Sequence, residues 1–381
     1  MKLQSPRRSV MVIGCLTGGF AVALALAAAS DTIGLRFGNP PDVVAADPPM
    51  GSVADQGHAA IRRFEHSLVS PVATDGRFAY YAAMGPTGWQ AMVLDPEAGV
   101  ERVIGPVGDI DGILVTARTS AGTVFAGSAR VVLVGDDGST KLISLPAPVR
   151  DAGLEGPPYV EGIGVRDDRV LIARFNDRDL IELNASAGLS VVAVHEVPDG
   201  VSPPKHLRIL DDRRVLVATA YSSQGFNPGA WVLDLVARRA EPLVGLTAPD
   251  AISASGPLVF LHQGRVVRVG ADLRIASTLA VRGPGLAAVA AGGQGETWYH
   301  NHRGPGEIVW SGASPGSSKV FALPTFFGYP GEPAPEEGRP KPMTPVASAP
   351  GVRTMVTMAN GDLVFATSGH EFIGIIRNPV R

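Results

Sequence analysis

Hydrophobic residues fall in short runs along the chain, and these runs end at Gly, Asp or Asn. Residues 286–310 (LAAVAAGGQGETWYHNHRGPGEIVW) show the pattern clearly, with apolar runs at 286–290, 297–300 and 308–310. The same outline returns near the C-terminus, at 353–358, 362–366 and Phe372–Ile376. Short alternating runs between turn residues predict β-strands, and no long helical pattern interrupts them.

Seven such units follow one another. They occupy residues 68–104, 113–145, 162–194, 206–244, 251–279, 286–323 and 353–376. A repeat of about 40 residues with four short strands is typical of a β-propeller. The seventh unit has three strands, and Ile61–Glu65 is positioned to supply the fourth. We therefore predict an all-β, seven-bladed β-propeller over residues 58–381, closed by an N-terminal strand. A β-sandwich or two stacked barrels are the alternatives.

The first 57 residues lack this pattern. Arg7 and Arg8 precede an uncharged run at 9–29, so we predict an export signal at residues 1–29, of the twin-arginine or the general type. The run is also long enough for a single N-terminal membrane anchor, which leaves cleavage and anchoring open. Residues 12–15 resemble a lipobox, but most of the apolar run follows Cys15. Residues 30–57 predict a flexible linker. The propeller is therefore expected outside the cytoplasm, in the periplasm, the cell envelope or the medium.

Composition restricts the partners. The chain has 381 residues, 45% of them hydrophobic, and a net charge of −3. It lacks the basic excess that nucleic-acid binding requires, so we exclude nucleic acid. The sequence contains no phosphate loop, nucleophile elbow or dinucleotide fingerprint. We expect a monomer that contacts a membrane only through its N-terminal segment and binds an unknown small molecule, glycan or protein.

Two segments resemble the repeats of a known group of propellers. Residues 295–299 (GETWY) with 307–310 (EIVW), and 361–365 (GDLVF) with 373–377 (IGIIR), are similar to NHL-type and virginiamycin B lyase-like propellers. The resemblance covers mainly the last two units and implies the propeller fold. For the lyase family it also implies a metal site of two His and a Glu, but the Glu-x-x-His element is absent here.

Candidate binding residues collect on one side of the predicted ring. With the strands of each unit named a to d in chain order, the b–c loops and the connections between units share one side, which we call the loop face. The candidates there are His206, His262, His300, His302, His370, Tyr221, Phe326, Phe327 and Tyr329. Neutral imidazole is both a metal ligand and a general base. The candidate metal ligands are His262, His300, His370, Glu161 and Asp250, and a divalent metal ion is the candidate cofactor.

A Pro-rich insertion at residues 324–350 also reaches the loop face, either as a lid or as a plain surface excursion. Three classes of function stay open. They are an extracytoplasmic binding or scaffold protein, a metal-dependent lyase or hydrolase with a His-lined site, and a structural module of the cell envelope. The first is favoured because the sequence shows no clear catalytic set.

Overall fold

Strands form where β-branched and aromatic residues alternate with small or polar ones. The structure, a computed structural model, describes residues 61–108, 110, 112–148, 159–175, 177–219, 228–247, 249–281, 286–293, 295–301, 306–314, 316–324, 351–368 and 371–380. The predicted export signal, the linker and residues 325–350 of the insertion lie outside these ranges. All described residues belong to the unit Ser52–Arg381. Within the described ranges, no helix is long and apolar enough to cross a membrane.

The described strands form seven four-stranded sheets, each a blade. The chain begins with β1 (Ile61–Glu65). Blade 1 then contains β2 (Ala73–Thr74), β3 (Ala79–Gly85), β4 (Gly88–Asp95) and β5 (Val100–Pro106). Blade 2 contains β6 (Val115–Thr119), β7 (Gly122–Ala126), β8 (Arg130–Val134) and β9 (Thr140–Ser144). Blade 3 contains β10 (Val160–Arg166), β11 (Arg169–Arg174), β12 (Asp179–Asn184) and β13 (Ser190–Glu196).

The remaining blades repeat this meander. Blade 4 contains β14 (His206–Ile209), β15 (Arg214–Thr219), β16 (Gly229–Asp234) and β17 (Arg239–Pro242). Blade 5 contains β18 (Ala251–Ile252), β19 (Leu258–His262), β20 (Arg265–Val269) and β21 (Ile275–Ala280). Blade 6 contains β22 (Leu286–Ala291), β23 (Thr297–Asn301), β24 (Glu307–Ser311) and β25 (Ser318–Ala322). Blade 7 contains β26 (Gly351–Thr357), β27 (Leu363–Ser368) and β28 (Phe372–Ile376) together with β1. The predicted seven-bladed propeller is confirmed.

The ring closes through the N-terminal strand, as the sequence predicts. β1 pairs antiparallel with β28, from Ile61 opposite Ile376 to Glu65 opposite Phe372. Side chains reinforce the junction with blade 1, since Arg62 Nη2 donates to the Gly99 carbonyl at 2.6 Å. The last blade is thus built from both ends of the propeller, and neither end can leave without opening the ring.

The Asp-rich turns stabilise the hairpins on the side opposite the loop face. Asp211 Oδ1 accepts the amides of Arg213 and Arg214 at 2.9 and 2.7 Å. Asp234 Oδ1 accepts those of Val236 and Ala237 in the same way. These side chains replace the missing ladder partners of the turn amides. Asp137 Oδ1 likewise accepts the Ser139 amide at 2.9 Å, so the turns at 136–137 and 211–212 both act in hairpin formation.

The core lies between neighbouring blades, because each middle strand is buried on both faces. In β19, Phe260 packs with blade 4, whereas Val259 and Leu261 pack with blade 6. Arginines also connect successive blades, as where Arg169 Nη1 donates to the Asp212 carbonyl at 2.8 Å. Since successive residues of a strand point to opposite faces, each position of a middle strand belongs to one inter-blade space.

The innermost strands of blades 1 and 5 are shorter than predicted. The predicted strand at 68–73 is reduced to an isolated bridge at Val69 and to the two residues of β2. Pro71 has no N–H, and the Ser70 hydroxyl accepts the Ala82 amide at 2.8 Å in place of a backbone carbonyl. In blade 5, Ser253 Oγ accepts the Val259 amide at 3.2 Å. Serine side chains thus interrupt the regular ladder at both places.

Candidate functional site

In three blades the innermost strand gains an extra residue where it reaches the loop face. In blade 3, Val160 pairs with Arg174 and Gly162 with Ala173, which leaves Glu161 as the extra residue of a β-bulge. The same shift occurs in blade 6 between Leu286 and Ala288 and in blade 7 between Val352 and Thr354. A bulge redirects the side chain of its extra residue. These three blades therefore each have one irregular position at this end of the innermost strand.

Backbone hydrogen bonds locate the equivalent position in blades 4 and 5. Lys205 N donates to the Ala218 carbonyl at 3.0 Å, although the ladder partner of Ala218 is His206. Asp250 N donates to the Leu261 carbonyl at 2.8 Å, although the ladder partner of Leu261 is Ala251. Three consecutive blades thus carry a charged residue directly before the regular ladder of the innermost strand, in the order Glu161, Lys205 and Asp250. We call these three residues the charged bulge row.

His206 lies between two members of this row. Its imidazole hydrogen-bonds to the backbone of Asp250, and its Nε2 is buried without a hydrogen-bond partner among the described residues. Burial and the positive charge of Lys205 lower the pKa of His206 to about 4. At neutral pH the ring is therefore neutral. Because Nε2 has no partner among the described residues, the bond to the Asp250 backbone is assigned to Nδ1, and Nε2 is the nitrogen left for another contact.

Asp250 connects the row to His262. Asp250 is exposed, but the chain around it removes enough water from the carboxylate to raise its pKa. The charges of His262 and Lys205 oppose that rise. Both residues therefore lie within electrostatic reach of Asp250. The structure brings together His206, His262 and Asp250 from the predicted set and adds Lys205.

His300 lies apart from His262, although both are candidate ligands of one metal site in the sequence. His300 pairs with Ala288 at the bulge of blade 6, so its counterpart in blade 5 is Leu261, one residue before His262. His262 shares a face with Phe260 and points to blade 4. His300 shares a face with Trp298, which packs against blade 7. The two imidazoles therefore face different inter-blade spaces.

No three His, Cys, Asp or Glu side chains among the described residues gather in a way that would hold a metal ion. His262, His300, Glu161 and Asp250 thus do not form a three-ligand site by themselves. His370, the fifth proposed ligand, lies outside the described residues, as do His302, Tyr221, Phe326, Phe327 and Tyr329.

Lys205 is the site residue that inspection of the sequence missed. Glu161 stands six residues before Asp167, the first residue of its hairpin turn, and Lys205 stands six before Asp211 (167 − 161 and 211 − 205). This constant spacing from the hairpin turn is the sequence signal that identifies Lys205. Arg353, the extra residue of blade 7, has a structural role, because its guanidinium group donates to the Val69 carbonyl and to the Glu371 carboxylate, both at 3.0 Å.

Comparison with solved structures identifies propellers similar to this chain. The WD40 β-propeller domain of Doa1 matches with a TM-score of 0.57 at 10% identity, over 85% of this chain and 97% of that one. U3-55K matches with a TM-score of 0.54 at 14% identity, over 84% and 99%. The Neurospora crassa Pan2 WD40 domain matches with a TM-score of 0.50 at 13% identity, over 82% and 90%. Identities this low establish the fold alone.

No family model matches the sequence, and no curated protein matches it. The resemblance to NHL-type propellers is accordingly not confirmed, whereas the seven-bladed propeller fold is.

Proposed function

We propose that this protein is an extracytoplasmic binding or scaffold propeller that recognises a small molecule, a glycan or a protein partner on its loop face. The observation that carries the proposal is the charged bulge row, in which Glu161, Lys205 and Asp250 occupy equivalent positions of three consecutive blades. Loops and strand ends held by a rigid scaffold are where proteins most often place binding residues.

The chemistry of the row favours a ligand with charged groups of both signs. Asp250 and Glu161 suit a cationic group, and Lys205 suits an anionic one. The neutral ring of His206 offers a hydrogen-bonding nitrogen without adding charge. The aromatic residues Tyr221, Phe326, Phe327 and Tyr329 are proposed to add apolar contacts around this centre.

A zwitterionic probe tests the proposal directly. Triglycine carries one charge of each sign, and its binding is measured by calorimetry at low and at high salt. We expect Asp250→Asn and Lys205→Gln each to weaken binding about tenfold, as expected for one charge-assisted hydrogen bond. Asp272→Asn, which removes a carboxylate from a turn on the opposite side of the ring, serves as the matched control. Equal binding by all four proteins, or no binding by wild type, would refute the assignment.

A metal-dependent lyase or hydrolase on the same face is the second candidate. It is favoured by Nε2 of His206, which is buried and has no hydrogen-bond partner in the part of the chain that the structure describes, because a neutral imidazole nitrogen is a common metal ligand. The described residues do not supply three ligands together, so this candidate requires a histidine such as His302 or His370. Metal analysis of the purified protein separates the two candidates.

A further inference from the structure

The outermost strand of each blade exposes a row of unpaired backbone groups to solvent. Such an edge pairs readily with another strand unless charges or prolines protect it. Six of the seven described edges carry at least one such residue: Arg62, Arg63 and Glu65 in β1, Glu101, Arg102 and Pro106 in β5, Lys141 in β9, His195 and Glu196 in β13, Arg239, Glu241 and Pro242 in β17, and Lys319 in β25. β21 does not.

β21 reads Ile-Ala-Ser-Thr-Leu-Ala, and all six residues are exposed. Its hydrogen-bonding groups are placed to accept a further strand. Val281 N donates to the Gly264 carbonyl at 3.2 Å, and bonded and non-bonded pairs alternate along an antiparallel ladder. Leu279 is therefore bonded inward, whereas Thr278 and Ala280 direct their N–H and C=O groups away from the blade.

A groove of about 800 Å³ lies beside this edge, between blades 4 and 5. Its apolar part includes Ile275, which is 42% exposed, and Val244, which is 86% exposed. Its charged part includes four arginines and three carboxylates, and among them Arg239 and Arg274 form no ion pair with a described residue. The groove thus combines an open apolar floor with a small excess of positive charge, since its four arginines outnumber its three carboxylates.

We propose that β21 and this groove bind an extended segment of a partner protein by antiparallel strand addition. The segment alternates apolar and small polar residues and ends in acidic residues beside Arg274. Backbone hydrogen bonds to Thr278 and Ala280 supply affinity that does not depend on the sequence of the partner segment. The apolar floor of the groove and its Arg239 and Arg274 side chains select which sequences bind. This surface is distinct from the loop face, so it provides a second point of attachment.

The probe is a fluorescent eight-residue peptide of alternating valine and threonine that ends in two glutamates. Thr278→Pro removes an outward N–H and leaves the ladder to β20 intact, so we expect at least tenfold weaker binding in fluorescence anisotropy. The matched control is Leu142→Pro. Leu142 of β9 pairs with Val132 of β8 as Thr278 of β21 pairs with Val267 of β20, and the β9 edge carries Lys141. We expect this control to bind as wild type does.

Charge and folding are controlled separately. Thr278→Lys supplies the kind of charge found on β9 and β25, and it should weaken binding as proline does; equal melting temperatures of the variants confirm that they fold. A probe that ends in two lysines should bind at least tenfold more weakly than the glutamate probe. Three results would each overturn the proposal: no binding to wild type, equal losses in Thr278→Pro and Leu142→Pro, or a wild-type dimer in sedimentation that Thr278→Pro dissociates. The last would assign the edge to a second copy of the chain.

Discussion

Ile61 is the residue through which the N-terminal strand enters the core, and its truncation tests the closure quantitatively. The side chain is 7% exposed and packs in the cluster that contains Trp298, Phe321 and Phe372. Ile61→Ala removes three carbon atoms from this packed site. Deletions of this kind in a core lower the free energy of unfolding by about 2–5 kcal/mol. We expect about 3 kcal/mol, because β1 is an edge strand that can partly relax.

The corresponding change in melting temperature follows from the size of the domain. At about 2.1 cal/mol/K per residue, about 320 residues give an unfolding entropy of about 0.7 kcal/mol/K, so about 3 kcal/mol lowers Tm by about 4 °C. Ile275→Ala makes the same chemical change on the outermost strand of blade 5, where the side chain is 42% exposed. Its cost should stay below about 1 kcal/mol, which corresponds to about 1 °C.

Differential scanning calorimetry of the propeller domain measures both variants under one set of conditions. The reasoning is refuted if Ile61→Ala melts within 1 °C of Ile275→Ala, because then β1 would contribute no more to the core than a solvent-facing edge.

Three further predictions follow from the closure, the N-terminus and the histidines. Partial burial raises the pKa of Glu101, but hydrogen bonds from His66 and Tyr81 and the charge of His66 bring it below its usual value. This stabilisation is therefore present above the unfolded pKa and is lost as pH falls through the folded pKa, so the difference in urea stability between wild type and Glu101→Gln should shrink below about pH 4. N-terminal sequencing of exported protein should begin near Ser30, and a start at Met1 would leave only the anchor. Finally, His262→Ala with His300→Ala should leave metal content unchanged, since the two rings face different inter-blade spaces; a loss of bound metal would show that they share a site.

The number of blades and the closing strand could be predicted because both depend on repetition. The last unit lacks a fourth strand, and an apolar run that belongs to no other unit lies at the opposite end of the domain. The simplest arrangement is that this run completes the last blade, and β1 does so. Asp-rich turns were equally readable, because the chemistry of Asp211 in its turn is local to three or four residues.

The candidate site could be predicted less well, because the face on which each side chain lies depends on the pairing register of its strand. His262 and His300 differ by one position in their ladders, and one position moves a side chain to the other face of the sheet. The alignment of Glu161, Lys205 and Asp250 arises from strand pairing, and in the sequence only the spacing of Glu161 and Lys205 from their hairpin turns indicates it. Lys205 shows the consequence: it lies in the site, but a search for imidazole and carboxylate ligands passes over it.

Amide-resolved hydrogen–deuterium exchange tests the central claim, that the N-terminal strand closes a seven-bladed ring, most directly. His66 N donates to the Glu371 carbonyl, so alternate residues of β1 bond to β28. The amides of Arg62 and Phe64 should exchange slowly, and those of Arg63 and Glu65, which face solvent, should exchange quickly. Ile373 and Ile375 in β28 should become fast when residues 58–66 are deleted. Uniformly fast exchange across Ile61–Glu65, or protected Ile373 and Ile375 amides in the deletion variant, would contradict the closure.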